Sequence, residues 1–352
     1  MTSTPPLLPL LFLFISPSLS ALTKLNVLSY GAKPDGSADS TKAFLAAWAQ
    51  ACASTTPASI YVPRGSFLLR NVKFQGQCSN RAISIRIDGT LVAPVDYRVI
   101  GNADSWVAFQ DVDGVSIFGG KFDARGAGLW ACKNSGNSCP GGATTLSFSK
   151  SKNIFVIGLT SINSQMFHIV INGCQNVKMQ GVTVTASGNS PNTDGKDQNE
   201  AGVQNVTVKT ATFIGTQNGV RIKSWARPSN GFARNIVFQH VTMKNVQNPI
   251  VIDQNYCPGN KNCPDQVSGV EVSDVTYQDI HGTSATQVAV NFDCSSKHPC
   301  SGIRLEGVTL TYKNDVAAAS LVYNAKVVAL PESVALLAHS ARLEPGLAMS
   351  MI

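Results

Sequence analysis

Asn176-Val177-Lys178-Met179-Gln180-Gly181-Val182-Thr183-Val184 sets a turn-forming residue ahead of alternating apolar positions, then a turn, then a second short strand. Alternation of period two marks a strand with one buried face. The pattern starts again at Gly114, Asn153, Asn205, Asn235, Gly269 and Gly302. Its second strand returns as Val241-Thr242-Met243, Val275-Thr276-Tyr277 and Val308-Thr309-Leu310. Successive starts lie roughly 23 to 39 residues apart, inside the range of about 20 to 50 that marks stacked repeats. Strands this short cannot bury a face alone, so each must lean on the next copy. The fold class that follows is all-β: a right-handed parallel β-helix, or solenoid, with one coil per repeat, apolar side chains stacked inside and loops outside. An antiparallel sandwich is the alternative. It fits less well, because like positions recur from repeat to repeat, and stacking satisfies that in register.

Ahead of the repeats, Leu25-Asn26-Val27-Leu28 reads as a strand, and Asp39 or Ser40 can cap a helix from about Thr41 to Cys52. Ala43, Phe44, Ala47, Trp48 and Ala51 share one apolar face of it, which predicts an N-terminal helix closing one end of the solenoid. The repeat fades near Thr311-Tyr312-Lys313-Asn314, and beyond Ser320 Leu and Ala fall at mixed spacing. The expected organisation is a signal peptide over residues 1–20, the β-helix over 21–320 and an atypical tail over 321–352 that adds little to the solenoid.

A formal charge of +7 favours polyanions as partners, whether acidic polysaccharide, nucleic acid or anionic membrane. The N-terminus ranks them. Leu7 to Ile15 is an apolar run too short to span a bilayer, and Ser16-Pro17-Ser18-Leu19-Ser20-Ala21 allows cleavage after Ser20, although no Lys or Arg precedes Lys24. Secretion is therefore expected, with an acidic wall polysaccharide as the polyanion, no nucleic acid and no stable membrane anchor. Nine cysteines in such a chain predict disulfides. Cys132 with Cys139, Cys257 with Cys263, and Cys294 with Cys300 are local pairs; Cys52 with Cys78 is a fourth, leaving Cys174 free. No Cys-x-x-Cys and no paired-histidine spacing occurs, so no metal site is expected. Asn205-Val206-Thr207 is a glycosylation sequon.

The chemistry concentrates between Ser190-Pro191-Asn192-Thr193-Asp194-Gly195 and Asn218-Gly219-Val220-Arg221-Ile222-Lys223. Arg221 and Lys223, two apart on a strand, share a face and suit an anionic substrate. Asn-Thr-Asp and Arg-Ile-Lys at these positions resemble two of the four signature motifs of the polygalacturonases, plant members above all. These glycoside hydrolases cut pectic homogalacturonan and are right-handed β-helices. The family's other two motifs, Gly-Asp-Asp with the paired catalytic aspartates and Gly-His-Gly, lie between them. Here Gly195 runs directly into Lys196-Asp197-Gln198-Asn199-Glu200, and neither motif occurs anywhere in the chain.

The resemblance implies roles residue by residue. Asp194 is the carboxylate that helps hold the attacking water, Asn192 orients the turn and contacts sugar, and Arg221 and Lys223 grip a uronate carboxylate. Asp253 and Tyr256, in Ile252-Asp253-Gln254-Asn255-Tyr256-Cys257, match a segment lining the cleft. Inverting glycoside hydrolysis needs a carboxylic acid and a carboxylate about 6.5 to 9.5 Å apart, and the acid has no counterpart unless Asp197 or Glu200 replaces it. The expectation is a monomeric, cofactor-free polygalacturonase-like protein of the plant cell wall that takes polygalacturonate but hydrolyses it poorly. The alternatives are a non-catalytic pectin binder and a defective product that does not fold. Met166-Phe167-His168 reads as core stacking, and His281 as a surface turn.

Overall fold

A computed structural model describes residues 22–185, 202–257, 266–313 and 316–330. The helix forms where the apolar spacing placed it, over Thr41–Ala53, with Thr41, Ala43, Phe44, Ala47, Trp48 and Ala51 buried. Asp39 supplies its start: its Oδ1 accepts from the Thr41 amide at 2.9 Å, while Ser40 makes no capping bond. Trp48 pins the helix to the first coils by donating to the Gln75 carbonyl at 3.1 Å and packing on Phe74, ring centroids 5.2 Å apart.

Each repeat becomes one coil. Gln175–Gln180 and Thr183–Thr185, for example, pair in parallel with Val203–Lys209 and Thr212–Ile214 of the next coil, Val177 against Val206 and Thr183 against Thr212. That register holds through Ile236, Val275 and Ile303, so like side chains stack in columns inside. The interior adds aromatic stacks: Phe74, Phe109 and Phe148 at 4.8 and 5.3 Å, then Phe238, Tyr277 and Phe292 at 5.3 and 5.8 Å. Among the described residues the sole antiparallel pairing joins Thr311 and Tyr312 to Val316 and Ala317. A sandwich is thereby excluded.

The turn that opens each coil explains the recurring asparagine. Asn153, Asn176, Asn205 and Asn235 all sit near φ +55°, in the left-handed region that asparagine tolerates better than most side chains. Their side-chain amides bond from coil to coil: Asn153 to Asp113 at 2.7 Å, Asn176 to Asn153 at 3.0 Å, Asn205 to Asn176 at 3.1 Å and Asn235 to Asn205 at 2.7 Å.

Two expectations are corrected by this geometry. The sixth coil opens at Asp274, not Gly269: Asp274 carries the positive φ of 52°, Val275 pairs with Ile236, and the second strand there is Ile280-His281-Gly282 rather than Val275-Thr276-Tyr277. The solenoid also does not stop at Ser320. Ala319–Tyr323 stacks on Val288–Asp293, and Ala325–Ala329 stacks on Cys300–Tyr312. Asn324, at φ +50°, makes the turn between them, and Ala325, Val327 and Ala329 point at the core. Asn324-Ala325-Lys326-Val327 is thus one more copy of the opening template.

Cys52–Cys78, Cys132–Cys139 and Cys294–Cys300 are bridged, with Cα atoms 4.5, 6.2 and 5.8 Å apart. Cys174 is free and buried. Cys257 is disulfide-bonded; Cys263 lies outside the described residues, as does the predicted signal peptide. No helix among the described residues is long and apolar enough to cross a membrane.

Candidate functional site

One face of the solenoid is built in two blocks. Val72–Gln75, Ser105–Gln110, Thr144–Ser149 and Ile169–Asn172 stack in one, and Asn218–Trp225, Asn248–Tyr256, Val288–Asp293 and Ala319–Tyr323 in the other. Asn192, Asp194, Asp197 and Glu200 lie outside the described residues. The other predicted site residues belong to the second block.

Alternation along Asn218–Trp225 sends Val220 into the core, 3% exposed, and leaves Arg221 and Lys223 on the outward face. The next coil sets Val251 beside Arg221 and Asp253 beside Lys223. Arg221 reaches diagonally across, Nη2 donating to Asp253 Oδ2 at 2.7 Å, with the two side chains only 14% and 19% exposed. Tyr256 lies under both cations: the Arg221 Cζ is 5.0 Å and the Lys223 Nζ 4.4 Å from its ring centroid. Phe167, two residues before the Ile169–Asn172 strand of the first block, faces Lys223 at 4.3 Å. The cleft beside them is about 390 Å³, lined by Gln217, Asn218, Arg221, Asn248, Asp253 and Tyr256 among others.

Burial sets the electrostatics. It pushes the Lys223 ammonium down to about 7, Asp253 opposing the shift. It also raises the Asp253 carboxyl, opposed by the Arg221 guanidinium, and raises the Tyr256 phenol. Arg221 Nε is buried without a hydrogen-bond partner among the described residues, so the fork retains donor capacity. A planar carboxylate is the natural complement of such a fork beside a lysine. Among the described residues the carboxylates of this cleft are engaged. Asp253 is tied to Arg221, and Asp293, its neighbour in register, accepts from Asn255 Nδ2 at 2.7 Å. His168 is enclosed as well: Nδ1 meets Ser161 Oγ at 2.8 Å, and burial pushes its pKa down to about 4, which keeps it neutral.

Tyr256, Arg221 and Lys223 are therefore brought together, with Asp253 as the unforeseen organiser of the arginine. Phe167, expected in the core stack, instead meets Lys223; the signal for it is its place just before a strand of the first block.

A parallel β-helix with cations and aromatic rings along one open face has the build of a polysaccharide-processing solenoid protein. The chain matches glycosyl hydrolases family 28 over residues 52–202 and again over 196–329. It belongs to that family, among its plant polygalacturonases. It is 58% identical over 366 residues to a polygalacturonase of Prunus persica, covering 89% of this chain and 93% of the relative. It is 34% identical over 342 residues to an exopolygalacturonase of Platanus acerifolia, covering 82% and 90%. The endo-xylogalacturonan hydrolase of Aspergillus tubingensis shares the fold, with a TM-score of 0.56 at 17% identity, covering 88% of this chain and 99% of that one. Since 89% of 352 residues is about 313, about 53 of the 366 positions aligned with the Prunus persica protein lack a residue of this chain, the size of two coils at roughly 20 to 30 residues each.

Proposed function

We propose that this chain is a polygalacturonase-like protein of the plant cell wall that binds pectic homogalacturonan through Arg221, Lys223 and Tyr256 and hydrolyses it negligibly. The observation that carries this reading is the join itself. Val203–Lys209 stacks directly on Gln175–Gln180, and the two family matches meet at 196–202, where the Gly-Asp-Asp and Gly-His-Gly motifs are missing from the sequence. A solenoid is held mainly by contacts between neighbouring coils, so whole coils can be absent and the remainder still closes up. That favours a folded binder over an unfolded product.

In this reading Arg221 is the fork for a uronate carboxylate, Lys223 a second positive centre, and Tyr256 the floor. Asn192 and Asp194 retain their roles by resemblance in sugar contact and water holding. The sequence lacks the Gly-Asp-Asp motif that would supply proton donation to the leaving oxygen, and among the described residues Asp253 is committed to Arg221; that step alone is worth about a hundredfold to ten-thousandfold. The predicted signal peptide supports delivery to the wall, where the polyanion is.

Purified protein mixed with polygalacturonate is expected to release no reducing ends while binding oligogalacturonate in calorimetry, with affinity that falls as salt rises. Turnover within tenfold of the Prunus persica relative would overturn the loss of activity. Absence of binding, or binding unchanged by Arg221→Gln, would overturn the site.

A further inference from the structure

The sheet formed by Asp113–Asp123, Lys152–Ile157, Gln175–Gln180 and Val203–Lys209, separate from the two blocks of the cleft face, carries a second feature. Phe118, Phe155 and Ile157 are each 39% exposed and adjoin one another. Ile157 pairs with Phe118 across two coils, and Phe155 lies two residues before Ile157 on the same outward side. The next coil sets Lys178 beside Phe155, its ammonium 5.6 Å from the ring centroid. The coil after that presents Lys209 beside Gln180, in the same outward row as Ile157 and Phe118. Lys178 and Lys209 have no acidic partner among the described residues, whereas Asp88 and Asp113 are engaged, Asp88 with Arg86 at 3.1 Å and Asp113 with Arg81 and Lys152 at 3.5 and 3.6 Å.

Large apolar side chains grouped on a solvated strand face are unusual where nothing covers them. Their neighbours decide what would. An aromatic face accepts the flat C–H side of a pyranose ring, and the lysines of the next two coils, without an acidic partner among the described residues, meet negative charge. Coils rise by about 4.8 Å, and the apolar group with Lys178 and Lys209 spans four successive coils, a length suited to an extended polyanion and not to one small ion.

We propose that Phe118, Phe155 and Ile157, with Lys178 and Lys209, form a second polyuronate-binding surface that holds a long polygalacturonate chain along the solenoid, apart from the Arg221 cleft. The occupant rests on the polyuronate reading above, but the surface is independent of the cleft. Its effect is avidity: two sites on one polymer raise affinity for long chains with no change for short ones.

The test compares long, de-esterified polygalacturonate with a short oligogalacturonate on the full chain, by calorimetry and co-sedimentation. Phe155→Ala with Lys178→Gln, and separately Lys178→Gln with Lys209→Gln, are expected to lower affinity for the long polymer about tenfold or more and to leave oligomer binding as in the wild type. Arg221→Gln should do the reverse, removing oligomer binding while polymer binding persists. If oligomer binding is absent from the wild type, the cleft reading fails; polymer binding that still depends on Phe155 and Lys178 then upholds the surface. Polymer affinity unchanged in both lysine variants overturns the proposal. So does equal binding of fully methyl-esterified polymer, or a wild-type dimer that Phe155→Ala turns to monomer, which would make the patch an interface between copies of this chain.

Discussion

Replacing Lys223 by Met tests the electrostatics of the cleft without depending on any ligand. Burial lowers this ammonium from its ordinary 10.5 to about 7, so the charged form is disfavoured in the folded protein. Below pH 7 both folded and unfolded chains hold the proton, and the full cost of the buried charge is present. Between pH 7 and 10.5 the folded chain has lost the proton while the unfolded chain keeps it. The unfolded state then binds more protons, and stability rises with pH. Each unit is worth about 1.4 kcal/mol, which over pH 7 to 9 sets a ceiling of about 2.7 kcal/mol; screening at the half-buried ammonium brings the expected figure nearer 1.5 kcal/mol. Urea melts of wild type and Lys223→Met at pH 6 and pH 9 read this directly, because groups common to both proteins cancel in the difference. The variant should be the more stable at pH 6, and its advantage should shrink by about 1.5 kcal/mol at pH 9. An advantage that is constant with pH, or that grows, would show that Lys223 keeps its ordinary ionisation and that the cleft is wetter than its packing on Tyr256 and Phe167 implies.

Asp253→Ala should destabilise the protein by about 3 kcal/mol, since it strands the Arg221 guanidinium in a site that is mostly buried; thermal melting beside Arg221→Met, expected to cost less because it removes the charge as well, separates lost pairing from lost packing. A chain ended at Ser320 should melt several degrees lower than one ended at Leu330, because it loses the coil of Leu321–Ala329 that covers Asn291, Phe292 and Ile303; equal melting temperatures would mean that this coil is not packed. Asn205→Ala should cost about 1 kcal/mol, by removing the links to Asn176 and Asn235 and the side chain best suited to the left-handed turn; urea melts measure it. Cys174 should react with a thiol reagent only after unfolding, as its burial also raises the thiol pKa to about 11, whereas peptide mapping should recover Cys300 still joined to Cys294.

The architecture was legible because a solenoid repeats one local rule. Alternation with a turn-forming residue ahead of it specifies a strand and its inward face, and each copy then has only its neighbour to pair with. Cysteine spacing worked for the same reason, since six- and seven-residue loops bring their ends together with little help from the rest of the fold. The rule misled at Gly269, where a glycine looked like the turn and Asp274 took the left-handed conformation. It was also missed at Asn324, the copy hidden behind the Ala- and Leu-rich text that follows Ser320. For the site, sequence alone determined that Arg221 and Lys223 share a face and that the acid and histidine motifs are missing, because period two and the presence of a motif are properties of the chain itself. Only tertiary structure decided that Asp253 holds Arg221, that Tyr256 underlies both cations and that Phe167 meets Lys223. These contacts join different coils, and their register is set by how whole coils stack, which no local run of residues encodes.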